Sequence, residues 1–311
     1  MKSNDVVRFV KTVLVAASVI MIAGCMAMKH KAVSPMTIQG FSSPESVVMT
    51  EDCKRIFVSN MGDKLVHYAK DNDGFITEIG HDGMILNRNY LPKDGHLNSP
   101  KGMAIIKDTL YVADVDRVVG FDIKTREKVF DLDLSSEKSG FLNDLEVFNE
   151  QTLFLSATDI GKVYMITIGQ DADSTSYKAI AHGIKGPNGL YYDKKADKLY
   201  VAGFGDGKQG NGELGVVEYK GGEHSYQSLT KPLGYLDGLA RFDDDNLIFS
   251  DWVSFDKSGV LRVFNLKTGE LSTRSLSEEV RGPADFLYVR KHGLMWMPKM
   301  LEGKVLVSEV K

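Results

Sequence analysis

The stretch GPNGLYYDKKADKLYVAGF, residues 186–204, contains two short apolar segments joined by the polar turn DKKADK. Both segments are rich in Leu, Tyr and Val and are too short for stable helices, so they predict two β-strands. Asn188 stands at the start of the first strand, directly after a Gly-Pro turn. The same order of turn, strand, polar turn and strand recurs along the chain.

Five further segments have this pattern, and they define six repeats. We call the residue at the start of the first strand of each repeat its anchor. Successive anchors are 56, 42, 45, 49 and 47 residues apart, and repeats of this length with several short strands are typical of β-propellers. The other segments are residues 43–61, 99–115, 141–159, 235–252 and 282–299, and the six anchors are Glu45, Lys101, Asn143, Asn188, Asp237 and Ala284.

The ends of the chain fit a closed ring. After Ala284 there is room for about three strands, one fewer than a four-stranded blade needs. The segment AVSPMTIQ, residues 32–39, can supply the missing strand from the other end of the chain, which removes an open sheet edge. The sequence therefore predicts an all-β fold over residues 32–311: a six-bladed β-propeller with four-stranded blades, the last closed by an N-terminal strand.

The N-terminus has the pattern of an export signal. Three basic residues precede the apolar run VLVAASVIMIA, residues 13–23, which is shorter than a membrane span. The following IAGC, residues 22–25, resembles the bacterial lipobox. That resemblance implies a signal peptide over residues 1–24, cleavage before Cys25, lipid on its thiol, and a lipidated tether over residues 25–31.

The alternative for this segment is an uncleaved anchor helix that extends to about Met28, and both interpretations place the body outside the cytoplasm. Met26 is not the aspartate that typically retains such lipoproteins at the inner membrane. We therefore expect a cell-envelope lipoprotein at the outer membrane that faces the periplasm and touches the membrane through its lipid only. The net charge of −4 and the lack of a basic stripe argue against a nucleic-acid partner.

The anchors predict a site because the innermost strand of each propeller blade lines the central channel. Glu45, Asn143, Asn188 and Asp237 should then converge at one mouth of that channel. Two carboxylates and two side-chain amides are hard oxygen ligands, which suit Ca²⁺ best and leave Mg²⁺, Mn²⁺ or Zn²⁺ open. Glycine follows the anchor at positions 102, 189 and 238, where it would allow close approach of backbones.

Four short motifs, in blade order, carry a family resemblance. They are Pro44-Glu45, Asn143-Asp144, Pro187-Asn188-Gly189-Leu190 and Asp237-Gly238. Together they resemble the gluconolactonase/regucalcin family of six-bladed propellers over residues 41–311, and LYVADVDRVVGFD, residues 110–122, resembles an NHL-type blade. The resemblance implies that Glu45, Asn188 and Asp237 hold a divalent metal, that Asn143 contacts substrate or completes the metal shell, and that Asp237 is the general base.

Lys101 departs from the family pattern, which usually has a small or neutral residue at that place in the ring. Two interpretations follow. In the first, Lys101 points along the channel, the metal binds, and the ammonium helps to stabilise a developing oxyanion. In the second, Lys101 pairs with Glu45 and replaces the metal.

If the metal binds, the expected reaction is metal-assisted hydrolysis of a lactone or ester, a small-molecule substrate. The second strand of each blade returns to the mouth, so Asp114 and Asp251 at two strand ends are expected to contact substrate. The segment LPKDGHLNSP, residues 91–100, is a candidate lid with His96 as a second acid–base group. The alternative function is a non-catalytic, lipid-anchored scaffold that binds a ligand or a protein partner.

Overall fold

The computed structural model describes residues 34–171, 173–221 and 223–311. These residues form six four-stranded antiparallel sheets, which are the blades of a six-bladed β-propeller, so the predicted fold class is confirmed. Within the described ranges the helices are three short 3₁₀ turns, at Ser135–Glu137, Arg290–His292 and Met300–Glu302. None of them has the length or the hydropathy to cross a membrane.

The blades follow one another along the chain, and the first strand of each lies innermost. Strand β1 is Met36–Gln39. Blade 1 contains β2 (Pro44–Met49), β3 (Ile56–Asn60), β4 (Phe75–Ile79) and β5 (Ile85–Leu91), and blade 2 contains β6 (Pro100–Ile106), β7 (Thr109–Asp114), β8 (Arg117–Asp122) and β9 (Lys128–Asp133). Blade 3 contains β10 (Leu142–Asn149), β11 (Thr152–Ala157), β12 (Lys162–Thr167) and β13 (Ser176–Ala181).

The second half of the ring repeats this order. Blade 4 contains β14 (Pro187–Asp193), β15 (Lys198–Gly203), β16 (Leu214–Lys220) and β17 (Glu223–Ser228). Blade 5 contains β18 (Leu236–Arg241), β19 (Asn246–Asp251), β20 (Val260–Asn265) and β21 (Leu271–Arg274). Blade 6 contains β22 (Leu287–Val289), β23 (Leu294–Lys299) and β24 (Lys304–Glu309), and β1 is its fourth strand.

Strand β1 closes the ring as the sequence predicts. It pairs antiparallel with β24, with Met36 opposite Val307 and Gln39 opposite Lys304. The pairing ties the N-terminal part of the propeller to its C-terminal strand and covers the edge of blade 6. The proposed signal peptide, Cys25 and the start of the predicted closing segment, up to residue 33, lie outside the described residues.

Apolar clusters fill the spaces between neighbouring blades. Between blades 1 and 2, for example, Phe57 and Leu91 pack with Leu110 and Val112. Because each sheet is covered on both faces, the second strands are buried along almost their whole length, whereas outermost strands such as β9 and β17 are largely exposed. The packing therefore fixes the position of each innermost strand around the channel.

A β-bulge occurs at the same place in five innermost strands. In blade 1, Pro44 pairs with Asn60 and Val47 with Val58, so Glu45 and Ser46 face the single residue Ser59. Blades 2 to 5 have the same irregularity at Lys101, Asn143, Asn188 and Asp237. A bulge changes the direction of a side chain and is frequent beside functional sites. Here the first residue of every bulge is an anchor.

Candidate metal and substrate site

The bulges bring five anchors to one cavity at the mouth of the channel. Glu45, Lys101, Asn143, Asn188 and Asp237 are almost fully buried, and all five line a cavity of about 700 Å³. The sixth anchor, Ala284, is buried beside the mouth in an apolar cluster with Trp252 and Met300. The structure therefore brings together the four residues predicted from the sequence as metal ligands.

Serine hydroxyls hold the bulges in three blades. The Oγ atoms of Ser59, Ser156 and Ser250 accept hydrogen bonds from the backbone N–H groups of Ser46, Asp144 and Gly238, at 2.8–2.9 Å. These N–H groups belong to the second residue of each bulge. The hydrogen bonds satisfy donors that the bulge removes from the sheet ladder, so the anchors are held on rigid backbone.

All three glycines that follow an anchor are required by close contact between blades, and a Cβ atom on Gly238 would lie 2.8 Å from the Cα of Asp285 in blade 6. A Cβ atom on Gly102 would lie 2.5 Å from the Cα of Asp144 in blade 3. A Cβ atom on Gly189 would lie 2.1 Å from the backbone oxygen of Asp237 in blade 5. Neighbouring innermost strands therefore approach each other closely at the level of the anchors.

The four predicted ligand residues share one feature: each has a buried oxygen without a hydrogen-bond partner. In the described part of the chain, five buried side-chain polar atoms lack a partner. Four of them are Oε2 of Glu45, Oδ1 of Asn143, Oδ1 of Asn188 and Oδ1 of Asp237; the fifth is Nη1 of Arg241. Buried oxygens normally have partners, so four buried oxygens without one around the same cavity are suited to bind a cation or a hydrogen-bond donor.

The carboxyl groups of the ring disfavour each other's charge. Burial raises the pKa of Glu45 well above its usual range, and the carboxyls of Asp237 and Asp285 raise it further, against a smaller opposite effect of Lys101. Burial and Asp285 likewise raise the pKa of Asp237, which the indole N–H of Trp252 partly offsets. A divalent cation between the two carboxylates would remove this repulsion and favour their charged forms.

The chemistry of the donor set fits a hard cation. Within residues 34–171, 173–221 and 223–311, no group of three or more His, Cys, Asp or Glu side chains is placed to hold a metal. The ring instead combines two carboxylates with two amide oxygens, a set rich in oxygen and free of nitrogen and sulfur ligands. Such a set favours Ca²⁺, and then Mg²⁺ or Mn²⁺, over Zn²⁺.

The ammonium group of Lys101 binds backbone oxygens rather than the carboxylate of Glu45. Its Nζ donates hydrogen bonds to the backbone oxygens of Ser99 at 2.7 Å and His67 at 2.9 Å, and it lies 5.5 Å from the ring centre of Phe141. No Lys101–Glu45 ion pair is present among the described residues. Burial lowers the pKa of Lys101 to about 8, although Glu45 opposes this change. The Lys101–Glu45 pair of the second interpretation is therefore not formed, and the ammonium group binds backbone oxygens instead.

Trp252 connects the ring to the cavity wall. Its indole Nε1 donates a hydrogen bond of 2.9 Å to Oδ2 of Asp237, while Oδ1 of Asp237 has no partner. The indole also packs edge-on against Phe204 and Phe255, with ring centres 5.8 and 5.3 Å away. One side chain therefore orients the proposed base and forms part of the surface above it.

Asp114 and Asp251, which the sequence predicts as substrate contacts, instead bind backbone N–H groups and arginines near the mouth of the channel. Each is fully buried and accepts two backbone N–H groups through one oxygen. The other oxygen pairs with an arginine of the third strand, Arg117 at 3.0 Å for Asp114 and Arg262 at 2.7 Å for Asp251. Neither aspartate lines the cavity.

Neither His96 nor any other residue of the segment 91–100 lines the cavity. His96 is exposed, and its backbone oxygen accepts a hydrogen bond from Arg117. The extra length of the first repeat lies mainly in residues 61–74, between β3 and β4, rather than in residues 91–100. This longer connection brings Met61, Leu65 and His67 to the cavity.

The cavity wall is the part of the site that the sequence analysis missed. It is formed mainly by connections between second and third strands, together with the connection from blade 3 to blade 4. The main contributors are residues 61–74 in blade 1, 158–161 in blade 3, 183–186 between blades 3 and 4, 204–213 in blade 4 and 252–259 in blade 5. The signal in the sequence was the uneven length of these connections, which reach 14 residues in blade 1 and two in blade 2.

No protein-family model matches the chain, and a search of curated proteins finds no match. Solved structures with similar folds exist. Virginiamycin B lyase from Staphylococcus aureus is 11% identical, with a TM-score of 0.59 over 89% of this chain and 99% of that protein. A proposed 6-phosphogluconolactonase from Bacteroides uniformis is 12% identical, with a TM-score of 0.54 over 81% and 76% of the two chains.

The PQQ domain of pyranose dehydrogenase from Coprinopsis cinerea is also similar, with 9% identity and a TM-score of 0.56 over 89% of this chain and 96% of that domain. The names of these three proteins point to different reactions. At such low identity the similarity shows a shared fold only. One fold can serve many functions, so the similarity does not assign a reaction to this chain. The comparisons therefore show a propeller fold and no particular function for this chain.

Proposed function

We propose that this protein is a divalent-cation-dependent hydrolase of lactones or esters, with the cation held by Glu45, Asn143, Asn188 and Asp237. The observation that carries the proposal is the set of four unsatisfied buried oxygens at the base of one cavity. Two carboxylates balance the charge of a divalent ion, and the amide oxygens add neutral ligands. When bound, such a cation polarises a carbonyl oxygen and lowers the pKa of water.

The residues of the chain have separate roles in this proposal. Asp237 removes a proton from the attacking water, and the hydrogen bond from Trp252 to its Oδ2 keeps Oδ1 directed to the cavity. Lys101 uses two of its three ammonium hydrogens on the backbone oxygens of Ser99 and His67. The third hydrogen is available to stabilise the negative charge that develops on the carbonyl oxygen.

The site also supports a place for the chain near the gluconolactonase/regucalcin propellers. The motifs that resemble that family supply the four unsatisfied oxygens, and they do so from blades 1, 3, 4 and 5 in the expected order. We therefore propose that the chain is a divergent relative of that family. The change to lysine at position 101 is accommodated because backbone oxygens bind the ammonium group.

Hydrolysis of dihydrocoumarin and phenyl acetate tests the function directly. Activity should disappear after treatment with EDTA, return on addition of Ca²⁺, and be lost in Asp237→Asn. Asp206→Asn is the matched control, since Asp206 is an exposed carboxylate at the cavity rim, and it should retain the activity. Hydrolysis that is insensitive to EDTA and to Asp237→Asn, or no hydrolysis of either compound, would contradict the proposal.

For the location of the protein, we propose an envelope lipoprotein anchored through Cys25, with the propeller in the periplasm. The support is the export-signal pattern of residues 1–25. Mass spectrometry of the protein purified from membranes should find a new N-terminus at Cys25 with a diacylglyceryl mass on its sulfur. An intact residue 1–24 segment, or Cys25 present as a thiol or a disulfide, would contradict it.

A further inference from the structure

The wall above the ring is apolar, although its rim is open to water. Leu65 and Phe255 line the cavity and are still 44% and 47% exposed. Phe255 packs against Phe204, Tyr235 and Trp252, with ring centres between 5.3 and 6.3 Å apart. Large apolar side chains that are exposed together inside a cavity favour an apolar ligand, whose binding would remove them from water.

Three polar side chains of the wall, Thr158, Asp159 and Lys185, already have partners within the protein. Thr158 donates its hydroxyl to the backbone oxygen of Pro187 at 2.7 Å. Asp159 accepts the hydroxyl of Ser139 at 2.6 Å and the N–H of Gly140 at 2.8 Å, and Lys185 pairs with Glu213. A ligand covered with hydroxyl groups would therefore lose hydrogen bonds to water and find few replacements along this wall.

The ring and the wall thus divide the cavity into two chemical parts. The unsatisfied oxygens are all at the base, and the wall includes Phe141 and His67, whose rings stack on each other with centres 4.0 Å apart. We propose that the substrate is a lactone or ester with an apolar body, an alkyl chain or an aryl group, and that Phe255 and its aromatic neighbours select it. This inference rests on the proposed hydrolase function, which it makes more specific.

A series of δ-lactones with alkyl chains of increasing length tests this selectivity, with δ-gluconolactone as the polyhydroxylated comparison. For the purified protein with Ca²⁺, kcat/KM should rise about fourfold for each methylene that the wall covers, until the cavity is filled. It should be at least about 100-fold lower for δ-gluconolactone than for the best alkyl lactone. A flat series, or δ-gluconolactone as the best substrate, would overturn the inference and leave the hydrolase function standing.

Phe255→Ala should lower kcat/KM about tenfold for the longest lactone and less than twofold for the shortest. Tyr219→Ala is the control, because Tyr219 is an exposed aromatic residue outside this cavity, and it should leave the series unchanged. The exposure of both rings makes misfolding a weak explanation for a change confined to long chains. An equal effect of Phe255→Ala on all chain lengths would contradict selection by the wall.

Calorimetric binding of the corresponding δ-lactams, which resist hydrolysis, separates the two proposals. The dissociation constant should fall with chain length in the wild-type protein and much less in Phe255→Ala. If no lactone is hydrolysed but the lactams show this dependence, the hydrolase function fails and the apolar-ligand inference stands. Lactam binding that is independent of chain length would overturn the inference whatever the activity.

Discussion

Asp237 and Asp251 lie on neighbouring strands of blade 5, and both are buried, but only Asp251 has partners for both oxygens. Asp251 accepts backbone N–H groups from Tyr235 and Val253, and its other oxygen pairs with Arg262 at 2.7 Å. Asp237 accepts one hydrogen bond, from Trp252, and its Oδ1 has none. The carboxylate of Asp251 therefore has protein partners for both oxygens, whereas that of Asp237 has a partner for only one.

This difference distinguishes buried carboxylates that stabilise the fold from buried carboxylates that are suited to bind a ligand. A buried carboxylate with fixed donors and an arginine organises the connection between strands, and blade 2 repeats the arrangement with Asp114 and Arg117. A buried carboxylate oxygen without a hydrogen-bond or ionic partner lowers the stability of the folded protein, unless a cation binds it or a proton neutralises the carboxylate. The consequences for stability and for metal binding should therefore be opposite in the two cases.

The largest expected effect is on stability, from Asp251→Ala. The substitution leaves Arg262 partly buried without its partner and removes the acceptor for two backbone N–H groups, so the free energy of unfolding should fall by about 3–5 kcal/mol. Urea denaturation measures this. Asp245→Ala, which removes only an exposed pair with Lys267, should cost less than about 1 kcal/mol. Equal losses of unfolding free energy in Asp251→Ala and Asp245→Ala would show that Asp251 stabilises the fold no more than an exposed ion pair does.

The second effect is on metal binding, from Asp237→Asn. The variant keeps the shape of the ring but loses one of its two charges, so its affinity for Ca²⁺ should fall at least about 100-fold, because even indirect partners of a metal are worth 10–100-fold. In EDTA its free energy of unfolding should be unchanged or higher than that of the wild type, since a repelled buried charge is removed. Calorimetric titration and urea denaturation give the two numbers. A clear loss of stability in EDTA would mean that Asp237 resembles Asp251.

A third prediction concerns Glu146, deeper in the channel wall. Burial raises the pKa of its carboxyl from 4.5 to about 7, and the nearby Asp285 adds to the rise, although the carboxylate accepts the N–H of Tyr192. The folded protein therefore holds a proton that the unfolded chain releases between these values. In EDTA, the free energy of unfolding should fall as the pH rises from about 4.5 to about 7, with a contribution from Glu146 of about 2–3 kcal/mol.

Glu146→Gln should flatten that part of the pH profile, whereas Glu127→Gln, at an exposed position, should leave it unchanged. Urea denaturation at several pH values measures both profiles. Parallel profiles of Glu146→Gln and the wild type over this interval would show that Glu146 is charged in the folded state.

The smallest expected effect comes from Trp252→Phe. Phenylalanine keeps an aromatic ring beside Phe204 and Phe255 but removes the N–H group that binds Oδ2 of Asp237. Affinity for Ca²⁺ should fall about tenfold, and the loss should be greater at low pH because the pKa of Asp237 rises further. Calcium titration at two pH values measures this, and an unchanged affinity at both would show that the indole only packs.

The sequence was sufficient to predict the blades and the ring because both follow from the repeat. Asn143 and Asp237 stand at equivalent positions of their repeats, and a propeller places equivalent positions around one axis. It did not distinguish Asp251 from Asp237, since the partner Arg262 lies on a third strand whose register is set by packing. Nor did it predict that Phe255 would line the cavity. Phe255 lies in a connection between strands, where no alternating pattern indicates the direction of a side chain.

Calcium binding to the metal-stripped protein tests the central claim most directly. Equilibrium dialysis should find one Ca²⁺ per chain, and saturation should raise the melting temperature by several degrees, since a ligand that binds only the folded state stabilises it. The same experiment on Glu45→Gln should show neither. No bound Ca²⁺, Mg²⁺ or Mn²⁺ and an unchanged melting temperature in the wild-type protein would contradict the account.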